Sequence, residues 1–423
     1  MPSGLDRLLA LPRFADDTGA YRPGLDRVRR LLHAMGDPHR AAPVVHVGGT
    51  NGKGSTASLV AALATASGRR AGLLTSPTLL HPAEMARVDG VPQVGAFAAA
   101  ADRWGAEAAA IGCSFFEAAV ALSFAVFAEA RVDLAVVEVG LGGADDATAV
   151  VDPAVSVVTS VGLDHLEHLG ATTRPEVARV KAGIAAPGGP FLHAVEGAET
   201  VAALEAEARR RGGVPERVRE TVRLRPAADG LVLETEGGRY GPVALGLPGA
   251  HQRWNAALAV RAVEALGLGG SREGVEQGLR DVVRLAGLRG RSEAWAGDPR
   301  VVLDVAHNAD GLRAARDAVP VPPGGRLVVL LGMMADKAGP AVADALRGAR
   351  VRTVSLDTPR ARSAAALARR LRSAGLDAVT EAGGVAEAIH AFRWSAGPDD
   401  RLLVTGSHRT VAEALRAIEG VSG

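Results

Sequence analysis

The chain has 423 residues, a formal net charge of +1, 48% hydrophobic residues and one cysteine, Cys113. That length predicts two domains with ample cores. The charge balance excludes a nucleic-acid tail, and a lone thiol excludes a disulfide framework. The N-terminus carries Asp6 and Arg7 and lacks an apolar signal core, and the longest apolar run, near Ala118 to Ala128, is too short to span a bilayer. A cytoplasmic protein without nucleic-acid or membrane partners is expected.

Nearly every basic residue is arginine; the only lysines are Lys53, Lys181 and Lys337. Arginine replaces lysine on a solvated face at little cost, but not where a compact or deprotonatable amine is needed. Each surviving lysine is therefore a candidate for chemistry.

An amphipathic helix pattern (Leu25, Val28, Leu31, Leu32) precedes Val44–Thr56, VVHVGGTNGKGST. Val44, Val45 and Val47 read as a buried strand, the glycines as a turn, and Ser55 onward as a helix start. Strand, glycine turn and helix N-terminus form a phosphate cradle, with Lys53 adding its charge. The standard loop has glycine where Val47 stands, and here Gly54 separates Lys53 from Ser55. Ala71–Leu74 reads as a strand, with Ser76 just past its end, either a turn residue or a hydroxyl within reach of a metal.

Residues 97–130 read as two helices broken at 112–114, with Phe115, Phe116 and Glu117 opening the second; the phenylalanines fit either a core or a lid over a flat aromatic substrate. Val132–Val139 reads as a buried strand ending in Glu138, a carboxylate that is costly there unless paired or metal-bound. A further strand, Val155–Ser160, leads to His165, again at a ligand edge. Thr173 and Glu176 form a capping box whose helix carries Lys181 near its apolar face, a position open to snorkelling or to function.

Residues 190–246 read as a helix (Glu199–Arg211) and antiparallel hairpins beside the first domain, followed by helices at Ala256–Leu266 and ending near Leu285. Gly287–Gly290 is a plausible linker. Beyond it, strands at 301–303, 327–331, 351–356, 378–379 and 402–404 alternate with helices. The predicted class is α/β with two domains, residues 1–286 and 287–423. Asp304, His307 and Asn308, then Asp336 and Lys337, then Ser407 follow successive strands of the second sheet.

GTNGKGS at 49–55, SP at 76–77, VEVGLGG at 137–143, TSVGLDH at 159–165, KAGI at 181–184, PGAHQRWNAA at 248–257, DVAHN at 304–308 and GS at 406–407 occur in one order over almost the whole chain. This set resembles the folylpolyglutamate synthase/dihydrofolate synthase family of the Mur ligase superfamily. The resemblance implies an N-terminal P-loop-type ATPase domain with an added small antiparallel sheet, and a C-terminal Rossmann-like glutamate ligase domain. It implies that ATP phosphorylates a folate or dihydropteroate carboxylate and that L-glutamate attacks the acyl phosphate, giving an amide, ADP and phosphate.

By the same resemblance, Asn51, Gly52, Lys53, Gly54, Ser55, Thr56, Asn255, Arg291 and Asp304 bind ATP. Ser76, Glu138 and His165 hold Mg²⁺. Lys53, Lys181 and His307 serve catalysis, Lys181 as a carbamylated lysine. Ser114, Phe115, Phe116, Glu117, Asp145, Asp146 and Ala147 meet the pteridine substrate, and Lys337 and Ser407 the glutamate side. The chain departs from the family pattern around the acceptor, with Thr78, Met85, Ala144, Ala149, Val180 and Ala250 replacing the usual residues. A monomer acting on small molecules is expected. Two other readings stand: a Mur-type ligase acting on a cell-wall precursor, disfavoured because about forty residues precede the cradle, and an ATP-binding module that has lost acceptor chemistry.

Overall fold

A computed structural model describes residues 3–13, 24–335, 337, 339–358 and 361–420. Asp336, expected at a ligand edge, lies outside the described residues. The chain forms two compact units: residues 1–78, 82–246 and 252–288, and residues 79–81, 247–251 and 289–423.

In the first unit, β1 (Val44–Gly48), β2 (Ala71–Leu74), β3 (Arg87–Val88), β4 (Val91–Pro92), β5 (Leu134–Glu138), β6 (Val155–Val158), β7 (Pro190–His193) and β8 (Val214–Arg217) build one sheet. Its order is β4-β3-β2-β5-β1-β6-β7-β8. Only β2–β3 and β3–β4 pair antiparallel. β1, β2, β5 and β6 are buried throughout. Continuous apolar runs of this kind suit parallel strands covered on both faces. Val47 pairs with Glu138 and Leu74 with Val137, so β1, β5 and β2 end side by side. Their C-terminal ends are where an open α/β sheet takes its ligand.

The helix Lys53–Ala66 follows β1, and its residues from Gly54 to Ala64 are all buried. It starts two residues before the expected Ser55, because Gly52, at φ 88°, turns the chain into the helix at once. Helices Val94–Ile111 and Phe115–Ala130 cover the β2 side.

Residues 190–246 do not stand wholly aside, as expected, because β7 and β8 extend the main parallel sheet. Phe191 and Leu192 pair beside β6, yet the four-residue run Pro190–His193 carries a proline and a histidine that hide its strand character. The predicted hairpins are β9 (Arg223–Ala227), β10 (Gly230–Glu234) and β11 (Arg239–Val243), a separate three-stranded antiparallel sheet. The single helix expected to end near Leu285 is two, Arg272–Arg280 and Val282–Ala286.

The second unit holds β12 (Glu293–Ala294), β13 (Val301–Leu303), β14 (Leu327–Leu331), β15 (Arg350–Thr353), β16 (Val379–Glu381) and β17 (Arg401–Thr405) in the order β12-β13-β17-β14-β15-β16. All pairs are parallel except β12–β13. Apolar clusters line both faces of this sheet. Among the described residues no helix is long and apolar enough to cross a membrane.

Candidate active site

The phosphate cradle is held by its neighbours. Thr50 N–H donates to the Ser160 carbonyl at 2.8 Å and Asn51 N–H to Ser160 Oγ at 3.0 Å. The hydroxyls of Thr159 and Ser160 both donate back to the Asn51 carbonyl, at 2.7 and 2.9 Å. A Cβ on Gly49, at φ 141°, would fall 1.9 Å from Thr159 Oγ1, and one on Gly52 would fall 2.7 Å from Asn255 Oδ1. Both positions therefore need glycine. Free N–H groups at the start of Lys53–Ala66 and the helix dipole make this turn an anion site.

Lys53 Nζ donates to the carbonyls of Gly49 and Thr50, each at 3.2 Å. Lys181 Nζ reaches the same Gly49 oxygen at 2.9 Å. Lys181 is 6% exposed, so it does not snorkel. Burial, and then the charge of Lys53, lower its pKa to about 7, against the opposing pull of Asp164 and Asp146.

Asn255 sits on the helix Gln252–Ala265, behind Gly52. Its Nδ2 donates to Gln252 Oε1 at 2.8 Å, and Gln252 Nε2 donates to Ser55 Oγ at 3.4 Å. Gln252, not among the residues expected at the site, lies i, i+3 from Asn255, a spacing that puts both on one helix face. Thr56 Oγ1 is buried with no hydrogen-bond partner.

Ser76 and Glu138 meet at the ends of β2 and β5, where Ser76 N–H donates to Glu138 Oε2 at 3.1 Å. A carboxylate and a hydroxyl are hard oxygen donors suited to Mg²⁺. His165 lies in the loop after β6, exposed and at φ 54°, with its N–H donating to Asp164 Oδ1 at 2.9 Å.

The expected acceptor residues divide. Ser114 and Glu117 form a capping box for Phe115–Ala130, and Arg27 adds an ion pair to Glu117 at 2.9 Å. Phe115 lies under the Arg13 guanidinium at 5.7 Å, and the Phe116 ring packs on Gly140. Asp145 is exposed, whereas Asp146 is 2% and Ala147 7% exposed.

In the second unit, Asp304 Oδ2 accepts from Ser292 N–H at 2.7 Å and from Ser292 Oγ at 3.1 Å, and Oδ1 accepts from Ala306 N–H at 2.8 Å. Burial raises its pKa, and the charge of Arg291 opposes the rise. His307 Nδ1 lies 3.2 Å from the Val305 carbonyl, and its ring is 6.0 Å from that of His408. Lys337 N–H donates to the Met334 carbonyl at 3.2 Å. Ser407 caps the helix His408–Glu419, accepting from Thr410 N–H at 3.1 Å. His307, Lys337 and Ser407 thus follow β13, β14 and β17, three adjacent strands.

A strand-to-helix phosphate loop with an oxygen pair at the next strand ends, in a chain that also carries a second, largely parallel α/β unit, is the build of an ATP-dependent ligase. The Mur ligase middle domain matches residues 47–263, and the Mur ligase, glutamate ligase domain matches residues 290–408. The folylpolyglutamate synthase of Lacticaseibacillus casei is 32% identical over 94% of this chain and 94% of its own length. A probable bifunctional folylpolyglutamate synthase/dihydropteroate synthase of Haloferax volcanii is 36% identical over 93% of this chain. The chain spans about half the length of that protein (48%) and of its Halobacterium salinarum counterpart (49%). The solved structure of Escherichia coli FolC in complex with DHPP and ADP superposes with a TM-score of 0.87 at 28% identity, covering 99% of each chain. A bifunctional folylpolyglutamate synthase/dihydrofolate synthase with Mn, AMPPNP and L-glutamate bound superposes at 0.84 and 27% identity, again over 99% of each. This chain belongs to the folylpolyglutamate synthase/dihydrofolate synthase family of Mur ligases.

Proposed function

We propose that the chain joins L-glutamate to the carboxylate of dihydropteroate or a reduced folate at the expense of ATP. The observation that carries this reading is the cradle itself: a glycine turn into a helix N-terminus with Lys53 at its start, and Ser76 and Glu138 at the adjacent strand ends. Relatives over the full chain length carry ADP, an ATP analogue, DHPP and L-glutamate, which supports it.

In this reading the acceptor carboxylate oxygen attacks the γ-phosphorus and the bond to ADP breaks. The glutamate amine then attacks the acyl carbonyl, and phosphate leaves. The chain's part is positioning and charge stabilisation. Backbone N–H groups of residues 52–55 and the Lys53 ammonium hold the triphosphate, with Asn51 and Thr56 flanking them. Ser76, Glu138 and His165 would hold Mg²⁺, which supplies charge neutralisation at the phosphates. Lys181, its pKa lowered to about 7 by burial and by the charge of Lys53, offers a neutral amine near neutral pH far more readily than an ordinary lysine. That amine can add CO₂, releasing a proton and leaving a carbamate anion beside the cradle.

For the unit spanning 289–423 we assign Arg291, Asp304 and His307 to the nucleotide, and Lys337 and Ser407 to glutamate. Phe115, Phe116, Asp145, Asp146 and Ala147 are assigned to the acceptor's surroundings, with Ser114 and Glu117 shaping that helix start. The domains are taken as 1–286 for ATP and 287–423 for glutamate, in a cytoplasmic monomer.

The test is glutamate-dependent ADP release with dihydropteroate and then with tetrahydrofolate. Product mass should rise by one glutamate per ADP. No turnover with either acceptor overturns the reading. Sedimentation of the purified chain tests the monomer.

A further inference from the structure

Asp146 was expected to meet the acceptor, yet both its oxygens already have partners. Oδ2 accepts from Leu141 N–H at 2.7 Å; Oδ1 accepts from Thr148 N–H at 3.0 Å and from the Thr148 hydroxyl at 2.5 Å. A hydroxyl has a single proton. With that proton on Asp146, the 2.8 Å contact between Thr148 Oγ1 and His46 Nε2 requires the imidazole to donate. An ionised Asp146, whose pKa burial raises and its accepted hydrogen bonds lower, thus selects the Nε2–H tautomer of His46, and burial, which lowers the His46 pKa to about 3, keeps that ring neutral. Thr148 is fully buried and His46 is 1% exposed.

This chain of three side chains connects β1, two residues before Gly48, to the loop that follows Glu138. The loop has no slack. Asp146 N–H donates to the Gly143 carbonyl at 3.1 Å. A Cβ on Gly140 would fall 2.5 Å from the Phe116 ring, and one on Gly143 would fall 2.0 Å from the Val180 carbonyl. A Cβ on Gly183 would fall 2.7 Å from the Ala144 nitrogen. The loop thus rests directly on the helix end that carries Lys181.

We propose that His46 and Thr148 are positioning residues: through Asp146 they clamp the Gly140–Gly143 loop, and the clamped loop sets the place of Glu138 and of the backbone at Lys181. For the reaction it serves, this rests on the ligase reading above; the clamp itself does not. A buried hydrogen-bonded network of this kind can hold such a loop rigidly. Both residues are buried, so the effect passes through the groups they hold.

The test compares Thr148→Val, which removes the hydroxyl at constant shape, with Thr148→Ser, which keeps it. It also compares His46→Leu with His46→Gln, which retains an N–H donor. The first readout is hydrogen exchange in the segment 139–146, which needs no turnover. Thr148→Val and His46→Leu should speed exchange at Leu141, and Thr148→Ser and His46→Gln should restore protection. The second readout is steady-state kinetics. The two disrupting variants should lower kcat by roughly 10- to 100-fold, with KM for ATP within about twofold of the parent, and the conservative variants should recover most of the loss. The double variant His46→Leu/Thr148→Val should be no worse than Thr148→Val alone.

Unchanged exchange at Leu141 in Thr148→Val overturns the clamp, as does a Thr148→Ser variant as impaired as Thr148→Val. If His46→Leu does not fold, the Thr148 pair decides. If the parent protein releases no ADP with glutamate present, the ligase reading falls while the exchange result still decides the clamp.

Discussion

Lys53 and Lys181 place their Nζ atoms on one oxygen, the Gly49 carbonyl, at 3.2 and 2.9 Å. Two ammonium groups sharing one acceptor repel each other, and the buried one yields. Lys181 is the buried one, and Lys53 is the second cause of its lowered pKa, after burial. The carbonyl that joins them is aimed by a glycine at φ 141°.

Stability should rise with pH above neutrality because of Lys181. Its pKa falls from the ordinary 10.5 to about 7 on folding. Between those values the unfolded chain binds the extra proton, so raising the pH favours the folded state. Urea midpoints at pH 7, 8 and 9 should increase, and Lys181→Met should flatten the trend. Equal slopes in the two proteins would remove the assignment.

Lys181→Arg should lose activity by at least about a hundredfold while staying folded, because a guanidinium neither deprotonates nor forms a carbamate. Carbon-13 NMR with labelled bicarbonate should show a carbamate signal in the parent that is missing in this variant. An arginine variant with parental turnover would end the carbamate proposal.

Gly49→Ala should weaken ATP binding and cost about 1–3 kcal/mol of stability, since it combines a positive φ with a clash against Thr159. Gly68→Ala is the control: its φ of 77° also disfavours a side chain, but a Cβ there meets nothing within 4 Å and no part of the cradle is near. It should leave ATP affinity at the parental value. Calorimetric titration of both variants with ATP separates the two effects; equal affinities would mean that the cradle tolerates a Cβ.

Arg27→Ala should lower the melting temperature through Glu117. The pair is 2.9 Å long, with the Glu117 side chain 7% exposed. Removing the guanidinium leaves a buried carboxylate short of a partner, at a cost of roughly 3 kcal/mol. Glu117→Gln should lose less, because an amide carries no charge to bury. A thermal melt unchanged in Arg27→Ala would mean that solvent replaces the arginine.

Much of this arrangement could be read before any coordinates. Val44–Val47, Val132–Val139 and Val155–Val158 announce themselves as buried strands, and glycine, lysine and serine between strand and helix announce a phosphate. Glu138 stood out because a carboxylate in such a strand demands a partner, and Ser76 supplies an N–H. Lys181 stood out through scarcity. Other features left no local trace. β7 and β8 are four residues each, too short to show a period against the proline in both. Asp146 and Thr148 look like loop residues, and His46 like a stray polar in a strand. Their connection spans 102 residues of chain and exists only once β1 has a loop beside it.

The same two lysines give the protein a built-in spectroscopic handle. Selective ¹⁵N labelling of lysine side chains would put only three Nζ signals into a 423-residue spectrum. Two of them report on a single carbonyl, one from an amine titrating near neutral pH and one from its neighbour at the helix start. Adding ATP would be read at both ends of that shared contact at once, without a probe having been introduced.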